Sequence, residues 1–331
     1  MAIENTSHLE PHQKPSIHVT KRSDRSTLML VLHTILRPIG SKLIKPPKDP
    51  FPAGSPQLDP HKKAKKRCDI SERKVEDIYL YDVRPKGTIS EQKPVKRIYY
   101  FSGGGWQSPA ASEHWTFVAE MAHRLPDTAV TLVSYPLAPN SSAPTAFPML
   151  MRLYRTLMLQ AQETGEKVIL AGDSAGGNIV LSLVVNALQE EPDSPCPTAI
   201  LAISPSTDLQ RANPDMTLIE KKDPILRIAF VNQTATAWRG DFEPCDVRVS
   251  PLYGDVTPLA KRGVKVHGVT GRYDILSPDG VLFREKLNQA WVHGEWLDWD
   301  KQMHVFPLAF AYKLKESVQA VDWIMDVLKN A

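Results

Sequence analysis

The chain alternates between two hydrophobic patterns. Short, nearly continuous apolar runs occur at Lys96–Phe101, Ala129–Ser134, Val168–Ala171, Thr198–Ile203 and Val264–Thr270. Runs of this kind, without regular polar alternation, mark strands covered on both faces. Trp296–Trp299 reads as a last strand, and Glu76–Val83, which alternates only in part, as an edge strand. Between the runs, Ser112–Arg124, Phe147–Thr164, the stretch after Ser174 and Ser277–Gln289 fit helices. Pro278 falls in the first turn of the last of these, where a missing N–H costs nothing. Val318, Val321, Met325 and Leu328 set an apolar stripe on a C-terminal helix. Strands alternating with helices predict an α/β protein: a mostly parallel central sheet covered by helices on both faces. In such sheets ligands sit at the carboxyl ends of the strands.

Three stretches break this rhythm. Residues 1 to about 25 are polar and are expected to be loosely ordered at their start. Ser26–Pro38 reads as a short helix, with a serine near its start and a proline at its end. It is apolar on too many sides for a simple surface helix. Lys21, Arg22 and Arg25 precede it; Arg37, Lys42 and Lys45 lie at and after its end. Two readings stay open for it: peripheral membrane contact through Leu28–Leu36, or a helix packed over the mouth of a site, which is favoured. Lys45–Pro60 is Pro-rich and extended. The basic run His61–Arg67 reads as solvated surface, with a localisation signal or a phospholipid contact as alternatives. Residues 210–250 lack strand character and read as a mostly helical insertion.

Composition narrows this picture only modestly. At 331 residues the chain can hold one large α/β domain with insertions or two small domains. A formal net charge of +3 is too small to imply a nucleic-acid partner. Cys68, Cys196 and Cys245 are odd in number and form no C-x-x-C pair, so neither a disulfide framework nor a zinc site is expected. No apolar signal core opens the chain and no run approaches the ~20 residues of a membrane span. The expected place is the cytoplasm, with an intracellular membrane surface as a further station, and not the secreted fraction.

The chemistry centres on Lys167–Gly177. An apolar run leads into Gly172-Asp173-Ser174-Ala175-Gly176, a G-x-S-x-G match, and a helix-permissive run follows. This is the strand, sharp turn and helix that expose a nucleophilic serine, with glycines where side chains would collide. Taken alone it could equally be a Gly-rich turn. A serine needs a base, and the base needs a carboxylate to fix its tautomer. In this setting the order is serine, acid, histidine. Only His267, His293 and His304 follow Ser174. His267 lies within a strand and His293 in a turn after a helix; His304 follows a strand and precedes the last helix. Asp274 directly follows a strand and is the matching acid; Asp208 is the rival, and Asp279 reads as a first-turn helix carboxylate. Gly103-Gly104-Gly105 at the end of another strand offer unobstructed N–H groups, and Ala175 follows the serine. Together they can form an oxyanion hole. The chemistry calls for no cofactor and no metal.

FSGGGW, YPLAP, GDSAGG, SPSTDL, SPLYGD, GRYDIL and MHVF occur in the order and rough spacing of the hormone-sensitive-lipase-like carboxylesterases, the α/β-hydrolase fold-3 group, which the chain resembles over about residues 95 to 310. The resemblance implies an α/β-hydrolase fold with a helical cap. Ser174, Asp274 and His304 would be the triad; Gly104, Gly105 and Ala175 the oxyanion hole; Trp106, Gly103 and Asp173 weaker candidates for substrate contact. Residues 1–70 would be an N-terminal segment contributing to the cap, and 71–331 the catalytic domain with a cap insertion at about 210–250. Two positions depart from the family pattern. Ser102 stands where the glycine loop usually carries a histidine that braces it, so a serine hydroxyl is expected to substitute in part. Pro278 replaces the second aspartate of the family's Asp-x-Leu-x-Asp.

The activity implied is hydrolysis of a carboxylic ester through an acyl-enzyme. The expected substrate is a short acyl or acetyl ester, or a lactone, of a hydrophobic alcohol, sterol or secondary metabolite, in a fungal-type enzyme. Acyl transfer, or amide or formamide cleavage, would use the same triad. Gibberellin receptors resemble the family but lack the histidine; His304 argues against such a binding role. A homodimer stays open.

Overall fold

A computed structural model describes residues 15–43, 45–87 and 94–331. The first fourteen residues, expected to be loosely ordered, lie outside these. Nine strands form one sheet: β1 Ile17–Arg22, β2 Cys68–Val75, β3 Ile78–Pro85, β4 Lys96–Phe101, β5 Thr128–Ser134, β6 Lys167–Asp173, β7 Ala199–Ile203, β8 Lys265–Gly271 and β9 Gly294–Trp299. Their order is β1-β9-β8-β7-β6-β4-β5-β3-β2. All neighbours pair in parallel except at β3, which runs against β5 and β2. The helices are α1 Thr27–Leu43, α2 Lys62–Arg67, α3 Ser112–Arg124, α4 Ala143–Thr164, α5 Ala175–Glu190, α6 Asp215–Glu220, α7 Ile228–Arg239, α8 Thr257–Lys261, α9 Ser277–Gln289 and α10 Lys315–Lys329.

The central strands are apolar because both faces are covered. Every residue of β7 is buried. One face packs against α4, α5 and α9 through residues such as Leu150, Ile179 and Phe283; the other packs against α3 and α10 through Trp115, Phe117 and Val321. Two cores share one sheet, so the strand ends are fixed from above and below.

Several expectations need correction. Glu76–Val83 is not an edge strand. Glu76 and Asp77, at φ 49° and 61°, make the tight turn between β2 and β3, and β2 is the edge. The polar stretch before residue 25 holds β1, paired along β9 from Ile17↔Gly294 to Arg22↔Trp299, a partner far away in sequence. Part of the basic run is α2, anchored by buried Ala64. Helix α1 does not stop at Pro38. Arg37 donates to Lys222 O (3.2 Å) and Arg227 to Arg37 O (2.7 Å), so contacts with the insertion hold the helix past its proline. Val318 is 37% exposed, off the buried stripe of α10. Residues 210–250 contain α6 and α7 joined by turns. Among the described residues no helix is long and apolar enough to cross a membrane.

Candidate active site

Strand β6 ends at Asp173 and α5 begins at Ala175, leaving Ser174 alone in the turn at φ 51°, ψ −114°. A left-handed serine is strained, and main-chain bonds hold it there. Its N–H donates to Ile203 O (2.9 Å), and its carbonyl accepts from Asn178 N (3.0 Å). The turn closes only because its flanks lack side chains. A Cβ on Gly176 would lie 1.9 Å from Phe101 O, and one on Gly172 would lie 2.5 Å from the Gly176 carbonyl carbon.

His304 reaches this serine from the loop after β9. Its Nε2 is 2.9 Å from Ser174 Oγ, and its Nδ1 is 2.7 Å from Asp274 Oδ2. A carboxylate accepts only, so Nδ1 carries the proton and Nε2 is free to accept from the serine hydroxyl. The His304 loop is pinned by Tyr273 N donating to Gln302 O (2.8 Å) and Val305 N donating to Ser204 Oγ (3.1 Å). Asp274 itself accepts from Leu276 N (2.9 Å) and is fully buried. Burial pulls the imidazole pKa down, but the charge and hydrogen bond of Asp274, aided by Asp223 and Asp173, outweigh it and leave the ring above its ordinary value.

The glycine loop after β4 lies beside the serine. Gly104 and Gly105 adopt φ 123° and 59°. Together with Ala175, their N–H groups donate to no acceptor among the described residues. These are the donors an oxyanion would need. Gly103 differs: its N–H donates to Asp173 Oδ1 (3.0 Å). Asp173 also accepts from Tyr100 OH (2.6 Å), and its other oxygen is 3.3 Å from His114 Nε2. Asp173 and Gly103 therefore satisfy each other, and Asp173 also lines the cavity. Burial raises the Asp173 pKa, yet His114, Tyr100 and Gly103 together lower it below the ordinary value. Trp106 lines the cavity, but its ring is buried and stacks on Trp238 at 5.8 Å.

Three neighbours went unrecognised in the sequence. His114, on α3, accepts from Ala111 N at Nδ1 (2.9 Å), which leaves Nε2–H to face Asp173. It braces the loop beneath Ser102, whose carbonyl accepts from Tyr135 OH (2.9 Å). Asp223 is wholly buried in the insertion between α6 and α7; it accepts from Ile225 N, Leu226 N and, beside the acid, Ile275 N (2.8, 2.9 and 3.0 Å). Burial and the nearby Asp274 raise its pKa against these bonds. Arg211 lines the cavity and donates to Ser206 Oγ and Asp208 O. A helix histidine and a loop arginine carry no spacing signal, so nothing in the sequence marked them. Asp208 accepts from Gln210 N and Tyr253 OH, Asp279 from Asn213, and His267 from Glu295 N; none meets Ser174.

A cavity of about 570 Å³ opens over Ser174 and His304. Leu226, Phe230, Val231 and Leu276 form one apolar wall, and Leu36 and Gly40 of α1 another. Such a space is large enough for a small apolar ligand.

Residues 98–308 match the family described as alpha/beta hydrolase fold. An esterase of Acinetobacter venetianus is 29% identical over 217 residues, 65% of this chain and 69% of that protein. Esterase LipU of Mycobacterium tuberculosis is 29% identical over 256 residues, 75% of this chain and 82% of that one. Both of these are bacterial, while an esterase of Gibberella moniliformis is 26% identical over 238 residues, 69% of this chain and 72% of that one, so the relatives do not decide for a fungal-type enzyme. A crystal structure of an esterase from the bacterial hormone-sensitive lipase family superposes with a TM-score of 0.74 at 20% identity, covering 93% of this chain and 99% of that one, which speaks for the fold.

Proposed function

The chain belongs to the alpha/beta hydrolase fold family and is a carboxylic ester hydrolase, and from that premise we propose that Ser174 cleaves the ester through an acyl-enzyme. The observation that carries this reading is the continuous line from Ser174 Oγ through the His304 ring to Asp274, at 2.9 and 2.7 Å. His304 Nε2 takes the hydroxyl proton as Oγ attacks the carbonyl carbon. Asp274 holds the imidazolium that results. The N–H groups of Gly104, Gly105 and Ala175 receive the charge that develops on the carbonyl oxygen; each such donor is worth roughly 10²–10³ in rate. His304 then gives the proton to the departing alcohol. Water repeats the sequence on the acyl group and releases the acid, so atoms and protons balance without a cofactor.

The cavity supports a substrate class. Its walls are mostly apolar side chains of α1, α7 and the Asp274 loop, with Arg211 and Glu113 among the polar residues that line it. We read α1 with α6 and α7 as the cap, and an ester of a hydrophobic alcohol with a short acyl group as the substrate. Fluorophosphonate labelling tests the nucleophile. Wild type should be labelled and Ser174→Ala should not; a label persisting in Ser174→Ala would place the nucleophile elsewhere.

A further inference from the structure

Helix α1 has two apolar faces, and only one is used by the fold. Met29 and His33 are buried on the inner face, Leu32 and Leu36 pack on the core, and Leu36 reaches the cavity wall. On the outer face Leu28 is 58% exposed, Val31 46%, Ile35 57% and Ile39 39%. These positions recur every three or four residues and therefore line up along the helix. Leu30 flanks them, and Arg37 is the one charged residue among the exposed positions from 27 to 39. Single exposed apolar residues are ordinary, but a continuous stripe marks a contact surface.

Cations frame this stripe. Lys21 and Arg25 precede it. The bonds between Arg37 and the insertion put Lys222 and Arg227, with Lys221, beside its second half; Lys45 and Lys48 follow. The acids nearby are largely engaged. Asp24 pairs with Arg22, Glu220 accepts from Ile228 N, and Glu316 is buried against Ser26; Asp49 is exposed. An apolar stripe with positive ends fits an anionic interface. It fits a second copy of the chain poorly, because a two-fold contact would set the same cations against one another.

We propose that α1 docks this enzyme on an anionic phospholipid surface, its outer stripe in the headgroup boundary and the cavity mouth beside it. Docking stands on the stripe and its framing cations; the corollary that ester is drawn from the lipid phase rests on the hydrolase reading.

Flotation of the full chain tests this, using vesicles of phosphatidylcholine alone and of phosphatidylcholine mixed equally with phosphatidylserine. The protein should float with the mixed vesicles and much less with the neutral ones. Leu28→Glu/Ile35→Glu should cut the bound fraction about tenfold or more, while turnover of water-soluble p-nitrophenyl butyrate stays at the wild-type level. Leu28→Ser/Ile35→Ser, a milder pair, covers the case in which the glutamates disturb folding, and soluble-ester turnover reports the fold. Flotation without turnover in the wild type would sink the hydrolase reading and leave docking intact. Absence of flotation would overturn the proposal. So would flotation indifferent to both pairs, flotation appearing only after residues 1–14 are removed, or a concentration-dependent dimer in sedimentation velocity that both pairs abolish.

Discussion

Ser174, in the floor, and Leu36, in the cap helix, line the same cavity, and different forces hold them there. Ser174 sits in a turn clamped by main-chain bonds to β7 and α5, with glycine clearances on either side. Leu36 is held by side-chain packing on a helix that crosses its own proline and leaves a stripe uncovered. The floor tolerates almost no change, because backbone meets backbone. The roof can exchange one apolar side chain for another at the modest cost of repacking. On the proposed mechanism chemistry and specificity are separable: the floor sets the reaction, and the roof sets what fits.

Substitutions probe that separation, beginning with the largest effect. Asp274→Asn should lower kcat/KM by about 10⁴, the loss expected when the base is left in the wrong tautomer. It should also move the pH profile. Only the neutral imidazole accepts the serine proton, so activity falls as pH drops through the His304 pKa. Burial lowers that pKa, but Asp274, with Asp223 and Asp173, outweighs burial and raises it above the ordinary imidazole value, so the acid limb of the wild type is expected above that of a free imidazole. Without the Asp274 charge, the limb should shift to lower pH. An unmoved limb in Asp274→Asn would separate Asp274 from the base.

Gly176→Ala tests the rigidity of the floor. Its Cβ would press on the Phe101 carbonyl, and a loss of about 3 kcal/mol or more in urea unfolding is expected. A stability within 0.5 kcal/mol of wild type, near the ordinary scatter of surface changes of about 0.5 kcal/mol, would show that the turn yields. Phe230→Ala tests the roof. It should change the ratio of kcat/KM for hexanoyl and acetyl p-nitrophenyl esters by about tenfold and leave acetate turnover within about threefold. A uniform loss on both esters would mean that Phe230 supports the floor instead.

The same contrast explains what was legible in the sequence. The strand β4, the helices α3 and α9 and the Ser174 turn could be read because their signals are local: an apolar run, a helical stripe, glycines two residues either side of a serine. The strand-end order of Asp274 and His304 added a topological rule. Strand β1 was not legible, because Lys21 and Arg22 offer no strand pattern and the segment is recruited only by β9. Pro38 misled for a related reason: its penalty is local, while Lys222 and Arg227 hold the helix from the insertion. Asp223 stands in a charged stretch, after Lys221 and Lys222, with no local signal, and only the fold buries it against Ile275 N. The glycine loop's brace was sought at Ser102 but involves His114, from the next helix.

Intact-mass spectrometry after rapid acid quench of the enzyme turning over p-nitrophenyl butyrate tests the central claim most directly. A protein heavier by one butyryl group, with the added mass mapping to the Ser174 peptide and absent in Ser174→Ala, is the predicted result. Hydrolysis with a butyryl group on any other residue, or undiminished turnover by Ser174→Ala, would contradict it.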